Sequence, residues 1–239
     1  MMLTVITFKW STPGYRSKYD ATHVNTMQRM VARHYPHPHR FVCVTDDPAG
    51  VECETWPLWD DLASVPNPTW PDRGPSCYRR LKLFARPSLG RWVWLDLDAV
   101  ITGDLSPLWT RPEPVVTYRP PGLNGGVNGA MILCNEPERF RFVWDLFDPD
   151  VSPKETTRLG YRGSDQAWMT ACLQHCSGKW GEAEGCYDYS GLRKPAMRMR
   201  ASGSARRQVN LPADARIVFF HGKPDPWEVD DSWVLDNYK

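Results

Sequence analysis

The first 45 residues contain two apolar segments with a helical segment between them. β-Branched and aromatic residues dominate positions 3–8 and again positions 41–45. Between them, residues 17–34 carry apolar side chains at helical spacing, and Pro36 ends this segment. Because a strand, a helix and a strand in this order normally form a parallel pair joined by a right-handed crossover, these residues predict an α/β fold.

The later apolar runs continue this alternation of strands and helices. A stretch rich in proline, tryptophan and aspartate at 56–75 has no period and predicts a loop. Further strands are predicted at 91–95, 115–118, 129–133 and 216–220, and helices at 77–85, 140–147 and 165–175. We find no internal repeat, so we expect residues 1–239 to form a single α/β domain whose central sheet is mostly parallel and flanked by helices.

Charge and composition exclude several classes of protein. The 29 Lys and Arg residues balance 28 Asp and Glu residues, and a net charge of +1 argues against general nucleic-acid binding. No run reaches the roughly 18–20 apolar residues of a membrane helix. The first residues lack the charged leader and cleavage site of a signal peptide. Seven scattered cysteines are typical of reduced thiols, so we expect a cytoplasmic protein without a transmembrane segment.

Residues 193–207 form a basic segment that contains no carboxylate. Its like charges and a Ser-Gly-Ser-Ala stretch are compatible with a mobile, solvated loop. The alternative interpretation is a loop that faces the acceptor or a phosphate group.

An Asp-x-Asp pair follows the predicted strand at 91–95. Alternation along the chain sends Asp96 and Asp98 to the same side, at the carboxyl edge of a parallel sheet, where α/β proteins bind ligands. Two adjacent carboxylates suit Mg²⁺ or Mn²⁺, with phosphate oxygens and water completing the octahedron. The alternative is a pair of turn-forming aspartates at the end of a strand.

The same pair is compatible with a second kind of enzyme. Residues 96–100 resemble the Asp-x-Asp-x-Thr/Val motif of haloacid-dehalogenase-like phosphatases, in which the first aspartate is the nucleophile. Here, however, the pair follows two strands and a helix and does not end the opening strand. A phosphatase with Asp96 as its nucleophile therefore remains an alternative.

Four other segments surround this pair in a defined order. Arg-Arg-Leu-Lys-Leu-Phe occupies 79–84, Val-Asn-Gly-Ala-Met-Ile occupies 127–132, Gly-Ser-Asp-Gln occupies 163–166, and His-Gly-Lys-Pro occupies 221–224. With the Asp-x-Asp pair, the set resembles nucleotide-sugar glycosyltransferases of the GT-A fold. The resemblance is strongest to glycosyltransferase family 8, the type of glycogenin and of bacterial galactosyltransferases. It covers nearly the whole chain and implies a Rossmann-like GT-A domain.

The resemblance implies a metal site. Asp96 and Asp98 match the metal-binding carboxylates of the family, and Asp96 is also expected near the donor ribose. His221 matches the third ligand, which a separate strand carries to the same sheet edge. Mn²⁺ is expected, with Mg²⁺ as the alternative, because an imidazole nitrogen is a softer ligand than oxygen. For His221 the alternative is a histidine that caps a strand end.

The resemblance also implies which residues hold a nucleotide-sugar donor. Lys223, with Gly222 beside it, matches the lysine that holds the diphosphate, and Arg80 matches an arginine that reaches phosphate or sugar. Asn128 matches an amide that binds sugar hydroxyls. The His-Gly-Lys-Pro ending is shorter than in the family, which leaves the role of Trp227 open.

Asp165 and Gln166 match the family's Asp-Gln pair at the start of a helix, where the pair contacts the donor sugar. Helix capping is a second and compatible role. With Arg80 and Lys223, they complete the set of expected catalytic residues. Family members retain the anomeric configuration, so front-side attack assisted by the departing diphosphate is expected. Double displacement through Asp165 stays open.

Residues near the ends of the first two strands correspond to the nucleotide-base pocket of the fold. These are Thr7, Phe8, Lys9, Tyr15 and Asp46. For Asp46, formation of a turn is an equally simple explanation.

The expected function is therefore metal-dependent transfer of a sugar from a nucleotide-diphosphate donor, with a UDP-sugar as the expected donor. The acceptor hydroxyl belongs to a glycan, a lipid-linked glycan or a small molecule. Besides the phosphatase, a non-catalytic module that binds a nucleotide sugar is the remaining alternative.

Overall fold

The described part of the chain folds into two β-sheets with helices packed against them. The computed structural model describes residues 2–11, 18–69, 76–121, 126–200 and 208–239, except for the side chains of 195–200. The strands are β1 (Leu3–Lys9), β2 (His39–Thr45), β3 (Glu54–Pro57), β4 (Trp92–Leu95), β5 (Ala99–Ile101), β6 (Val115–Tyr118), β7 (Asn128–Cys134), β8 (Gly178–Trp180), β9 (Cys186–Asp188) and β10 (Ile217–Phe219).

The helices are mostly short. The α-helices are α1 (Ala21–His34), α2 (Ser106–Trp109), α3 (Phe142–Asp145), α4 (Ser152–Arg158), α5 (Asp165–Leu173), α6 (Tyr189–Arg200) and α7 (Ser232–Asn237). Segments of 3₁₀ helix cover Tyr78–Ala85, Pro87–Leu89, Pro137–Phe140, Glu182–Glu184 and Pro226–Glu228. None of the described helices has the length and apolar character needed to cross a membrane.

The larger sheet has the strand order β3-β2-β1-β4-β7-β6-β8. β1 is parallel to both β2 and β4, whereas β7 is antiparallel to β4 and β6. The β1-α1-β2 unit is the parallel crossover that the first 45 residues predict. The predicted α/β class with a mostly parallel sheet is therefore confirmed.

Alternation along the strands builds a core on each face of the larger sheet. Leu3 and Val5 of β1 pack in the cluster that includes the apolar side of α1. Ile6 and Phe8 face the opposite cluster, which contains the 3₁₀ helix Tyr78–Ala85 and α5. Because the strands are buried on both faces, they appear in the sequence as nearly continuous apolar runs.

Several elements differ from their predicted form. The helix predicted at 77–85 is a 3₁₀ helix, and the one predicted at 140–147 is a 3₁₀ turn followed by the short α3. The predicted loop at 56–75 overlaps the end of β3. The short strands β3, β5, β8 and β9 were not predicted, whereas the equally short β4, β6 and β10 lie within the predicted apolar runs at 91–95, 115–118 and 216–220.

The basic segment is not simply a loop. Its first half belongs to α6, while residues 201–207 lie outside the described part of the chain. Asp188 begins this helix, because its side chain accepts hydrogen bonds from the backbone N–H groups of Ser190 (2.7 Å) and Gly191 (3.2 Å). A capped first turn outweighs the modest repulsion between like charges on a helix surface.

The smaller sheet has the order β5-β10-β9. Its central strand, β10, is the strand predicted at 216–220, and it is antiparallel to β5 and parallel to β9. β5 begins directly after the Asp-x-Asp pair, so its pairing with β10 places β10 beside that pair.

Candidate active site

An open cleft with a volume of about 640 Å³ lies where β4 ends and β7 begins. Its described lining residues are Asn67, Cys77, Arg80, Asp96, Asp98, Pro120, Pro121, Asn128, Gly129, Gly163, Ser164, Asp165, Gln166, Asp188, Lys194, His221 and Gly222. Eight of the predicted site residues share this cleft: Arg80, Asp96, Asp98, Asn128, Asp165, Gln166, His221 and Gly222.

The base of the cleft is held together by a network around Arg80, formed by Arg80, Trp94, Asp96 and Asp165. The Arg80 guanidinium donates to Asp165 Oδ2 through Nε at 2.8 Å, and Nη2 lies 2.7 Å from the same oxygen. Its Nη1 donates to Asp96 Oδ1 at 2.7 Å, and Trp94 Nε1 donates to the same oxygen at 2.9 Å. The guanidinium also lies 4.2 Å from the centre of the Trp94 ring. This network fixes the orientation of both carboxylates.

Asp165 is the most buried carboxylate of the network, with 3% of its side chain exposed. Burial raises the pKa of the Asp165 carboxyl, since it penalises the charged form, and the Arg80 guanidinium opposes this shift. Ser164, before it, accepts a hydrogen bond from the backbone N–H of Cys77 at 2.9 Å. The start of α5 is thus tied to the start of the 3₁₀ helix that carries Arg80.

Asp98 and His221 are brought together by the backbone of the smaller sheet. Phe219 pairs with Ala99, and one residue further the Phe220 N–H donates to the Asp98 carbonyl at 2.8 Å. His221 therefore lies two residues after the end of β10, next to the residue that is hydrogen-bonded to Asp98. Their common place in the cleft results from this ladder and not from the larger sheet.

A second side of the cleft, here called the α6 wall, consists of Asp188, Lys194 and His221. Asp188 Oδ2 lies 3.6 Å from His221 Nε2 while the same side chain caps α6. Asp188 was not predicted as a site residue, because the three-residue strand that carries it shows no sequence pattern. Lys194 belongs to the basic segment and was not assigned to the site. The cluster of positive charge in that segment is the signal that could have identified Lys194.

The third side of the cleft carries amide groups and glycines. Asn128 Oδ1 accepts from the Ala130 backbone at 2.8 Å, which leaves the NH₂ group of Asn128 as its available donor. The Gln166 side chain donates to the Arg162 carbonyl at 3.1 Å. At Gly129 an added Cβ would lie 3.2 Å from Arg80 Nη2, so the absence of a side chain lets the Arg80 network approach the backbone closely.

Lys223 is placed differently from the other predicted site residues. It is not among the described residues that line the cleft, and its Nζ lies 2.6 Å from both Asp225 Oδ2 and Glu228 Oε1. The hydrogen bonds that Lys223 donates to these two carboxylates raise its pKa. Trp227 packs against His23 at 4.1 Å between ring centres, away from the cleft.

The residues predicted for the nucleotide base are also outside the described cleft lining. Thr7, Phe8 and Lys9 are buried in β1, while the exposed Asp46 accepts a hydrogen bond from the Ser11 backbone at 2.9 Å. Tyr15 lies outside the described residues. The base-binding role of all five stays a prediction.

The donor set in the cleft fits a divalent cation in type. Two carboxylates and one imidazole, those of Asp96, Asp98 and His221, line the same open space, and hard oxygen with one nitrogen suits Mn²⁺ or Mg²⁺. In the described part of the chain, no three His, Cys, Asp or Glu side chains are already drawn together as a metal-binding group.

Known proteins resemble this chain in fold and not in sequence. No protein-family model matches it, and no curated protein sequence matches it. The galactosyltransferase LgtC, crystallised with donor and acceptor sugar analogs, superposes with a TM-score of 0.58 at 14% identity, over 99% of this chain and 96% of LgtC. The apo-form glycosyltransferase GlyE of Streptococcus pneumoniae TIGR4 gives a TM-score of 0.61 at 14% identity, over 100% of this chain and 61% of GlyE.

The bifunctional WbbM gives a TM-score of 0.58 at 12% identity, and 99% of this chain corresponds to 49% of WbbM. The chain thus spans nearly all of LgtC but about three fifths of GlyE and half of WbbM. The predicted GT-A-type fold is confirmed by these superpositions.

Proposed function

We propose that this protein is a glycosyltransferase that moves a sugar from a nucleoside-diphosphate donor, with UDP-sugar as the expected donor, to an acceptor hydroxyl. The observation that carries the proposal is that Asp96, Asp98 and His221 line one cleft together with Asn128 and Asp165. The fold shared with LgtC supports it, since LgtC has been crystallised with donor and acceptor sugar analogs.

In this proposal Asp96, Asp98 and His221 hold a divalent cation, Mn²⁺ or Mg²⁺. The bound ion would offset the negative charge of the diphosphate. Arg80 acts here as a positioning residue, because its guanidinium is hydrogen-bonded to Asp96 and Asp165 and keeps the Asp96 carboxylate oriented. In this proposal Arg80 acts through Asp96, in place of the direct contact with phosphate or sugar that the family resemblance implies.

The donor sugar would lie against Asn128 and Gln166. Asn128 keeps an NH₂ donor for a sugar hydroxyl. LgtC has also been crystallised as an active-site mutant in which glutamine is replaced by glutamate. This parallel supports an active-site role for a glutamine such as Gln166.

Transfer is proposed to proceed by front-side attack with retention. The acceptor oxygen forms a bond to the anomeric carbon while the bond from that carbon to the diphosphate oxygen breaks. The bonding electron pair leaves with the diphosphate, which also takes the acceptor's proton. Asp165 is a poor nucleophile here, because its Oδ2 accepts both contacts from Arg80 and its side chain is buried. Cys77 is equally unsuited, since burial raises the pKa of its thiol to about 12.

The test is ligand-dependent stability. Thermal unfolding is measured with UDP or UDP-sugars, with and without MnCl₂, for the wild type and for Asp98→Asn. A ligand at about 100 times its Kd stabilises a protein by about 2.7 kcal/mol, so a clear rise of Tm is expected for the wild type in the presence of Mn²⁺. Asp98→Asn should lose this rise.

Asp150→Asn is the matched control, because Asp150 is an exposed aspartate outside the cleft. It should respond to UDP and Mn²⁺ like the wild type. Unaltered Tm of the wild type with every nucleoside diphosphate and metal would contradict the proposal. Hydrolysis of p-nitrophenyl phosphate that depends on Asp96 would then support the phosphatase.

A further inference from the structure

The charge of the cleft is dominated by carboxylates. Asp96, Asp98, Asp165 and Asp188 all line it, whereas its described lysine and arginine residues are Arg80 and Lys194. A diphosphate is strongly anionic, and a leaving diphosphate gains charge as its bond to the sugar breaks. Binding and departure of this group therefore need positive charge beyond one divalent cation.

Arg80 is not available for that role. Its guanidinium is hydrogen-bonded to Asp96 and Asp165 and packs on the Trp94 ring, with 10% of its side chain exposed. Moving it onto a phosphate would leave the buried Asp165 carboxylate without this partner, which is strongly unfavourable.

Lys223, the residue that sequence resemblance favours, is neutralised by its own loop. Its ammonium group lies 2.6 Å from each of two carboxylates, Asp225 and Glu228. To reach a diphosphate, Lys223 would have to leave both of these partners. Lys223 also lines an adjoining cavity and not the cleft that contains Asp96 and Asp98.

Lys194 has the opposite properties. It is exposed, and within the described part of the chain no carboxylate lies in ion-pair distance of its ammonium group. It lines both the cleft and the adjoining cavity of about 370 Å³, and His221 lines both as well. Asp188 caps the helix that carries Lys194 and lies 3.6 Å from His221, so the start of this helix is fixed beside the proposed metal ligand.

We infer that Lys194 is the residue that binds the donor diphosphate in this protein, in the place of Lys223. The inference rests on the proposed function and assigns its phosphate-binding cation. A diphosphate held beside His221 lies on the same side of the cleft as Lys194. A lysine is suited to this task, because its long flexible stem carries three donors on a compact charge. During transfer its N–H groups donate hydrogen bonds to the diphosphate as the sugar leaves.

Binding of UDP and of uridine in MnCl₂ is measured by isothermal titration calorimetry for the wild type, Lys194→Ala, Lys194→Arg and Lys223→Ala. Removing a charged hydrogen bond to phosphate is expected to weaken UDP binding of Lys194→Ala by about tenfold or more. Uridine binding should be unchanged, because uridine carries no phosphate. Lys194→Arg should recover most of the affinity for UDP.

Lys223→Ala should weaken UDP binding by no more than about threefold, since its ammonium group is already paired. Lys154→Ala, an exposed lysine on α4, is the control and should bind UDP like the wild type. A tenfold loss in Lys223→Ala with none in Lys194→Ala would overturn the inference. Unchanged UDP binding by Lys194→Ala would overturn the inference as well. A wild type that does not bind UDP contradicts the proposed function itself, which is a distinguishable result.

Discussion

The Arg80 network and the α6 wall each contain aspartate and a basic side chain, but the basic side chain is buried and paired in the network and exposed on the wall. In the network, Arg80 and Asp165 are buried, and Arg80 is hydrogen-bonded to both Asp165 and Asp96. On the wall, Lys194 is exposed and has no described ion-pair partner. Buried charges must be paired, because an unpaired charge loses its solvation. The difference indicates that the network sets the shape of the cleft, while the wall keeps charge available for a ligand.

The largest effect on stability is expected when Arg80, the centre of the Arg80 network, is removed. Arg80→Ala leaves the buried Asp165 carboxylate without its guanidinium, which is expected to lower the free energy of unfolding by about 3–5 kcal/mol. Urea denaturation at neutral pH measures this change. Arg158→Ala is the control, because Arg158 forms an exposed ion pair with Glu155 that contributes little to stability. Equal effects of the two substitutions would mean that the Arg80 network is not structural.

A smaller change is expected when a methyl group is added beside each region. In Gly129→Ala the new Cβ lies 3.2 Å from Arg80 Nη2, and hydrogen bonds prevent Arg80 from moving away. Overpacking should exceed the gain from a stiffer unfolded chain and lower the free energy of unfolding by about 1 kcal/mol.

Gly191→Ala makes the same change in α6, where, apart from the helix's own backbone, no atom of the described residues lies within 4 Å of the new Cβ. Alanine is the better helix former, so this variant should gain up to about 1 kcal/mol. Denaturation of both variants in parallel compares the two regions directly, and a stabilised Gly129→Ala would contradict the tight packing of the network.

The smallest effect is expected for the lysine of the wall. Lys194→Ala should change the free energy of unfolding by no more than about 0.5 kcal/mol, because its exposed ammonium group has no described ion pair to lose. Thermal or urea unfolding without ligand provides the measurement. If Lys194→Ala lowered the free energy of unfolding by more than about 1 kcal/mol, Lys194 would have a structural role, contrary to this prediction.

Much of the fold could be predicted from patterns that are local in the sequence. The first strand and β2 are apolar runs, α1 shows helical spacing, and Asp20 caps α1 by accepting hydrogen bonds from the N–H groups of Thr22 and His23. The smaller sheet could be predicted in part. β10 lies within the apolar run at 216–220, whereas its partners β5 and β9 were not predicted.

The types of residue at the candidate site could be predicted better than the contacts that these residues make. The Asp-x-Asp pair, Asn128 and His221 lie in the cleft, as expected of residues at strand ends. Asp188 and Lys194 were not assigned to the site, because one follows a very short strand and the other belongs to a segment that looks like a charged loop. Their roles, like those of the other site residues, stay predictions until the experiments above are done.

The sequence alone determined the longer strands and helices and which residue types gather at the edge of the larger sheet, since apolar runs and helical spacing act over a few neighbouring residues. The tertiary structure decided which charges are paired. Arg80 meets Asp165 from 85 positions away, whereas Lys223 meets Asp225 within its own loop. Pairing depends on distance and burial in the folded chain, and neither can be read from the order of the residues.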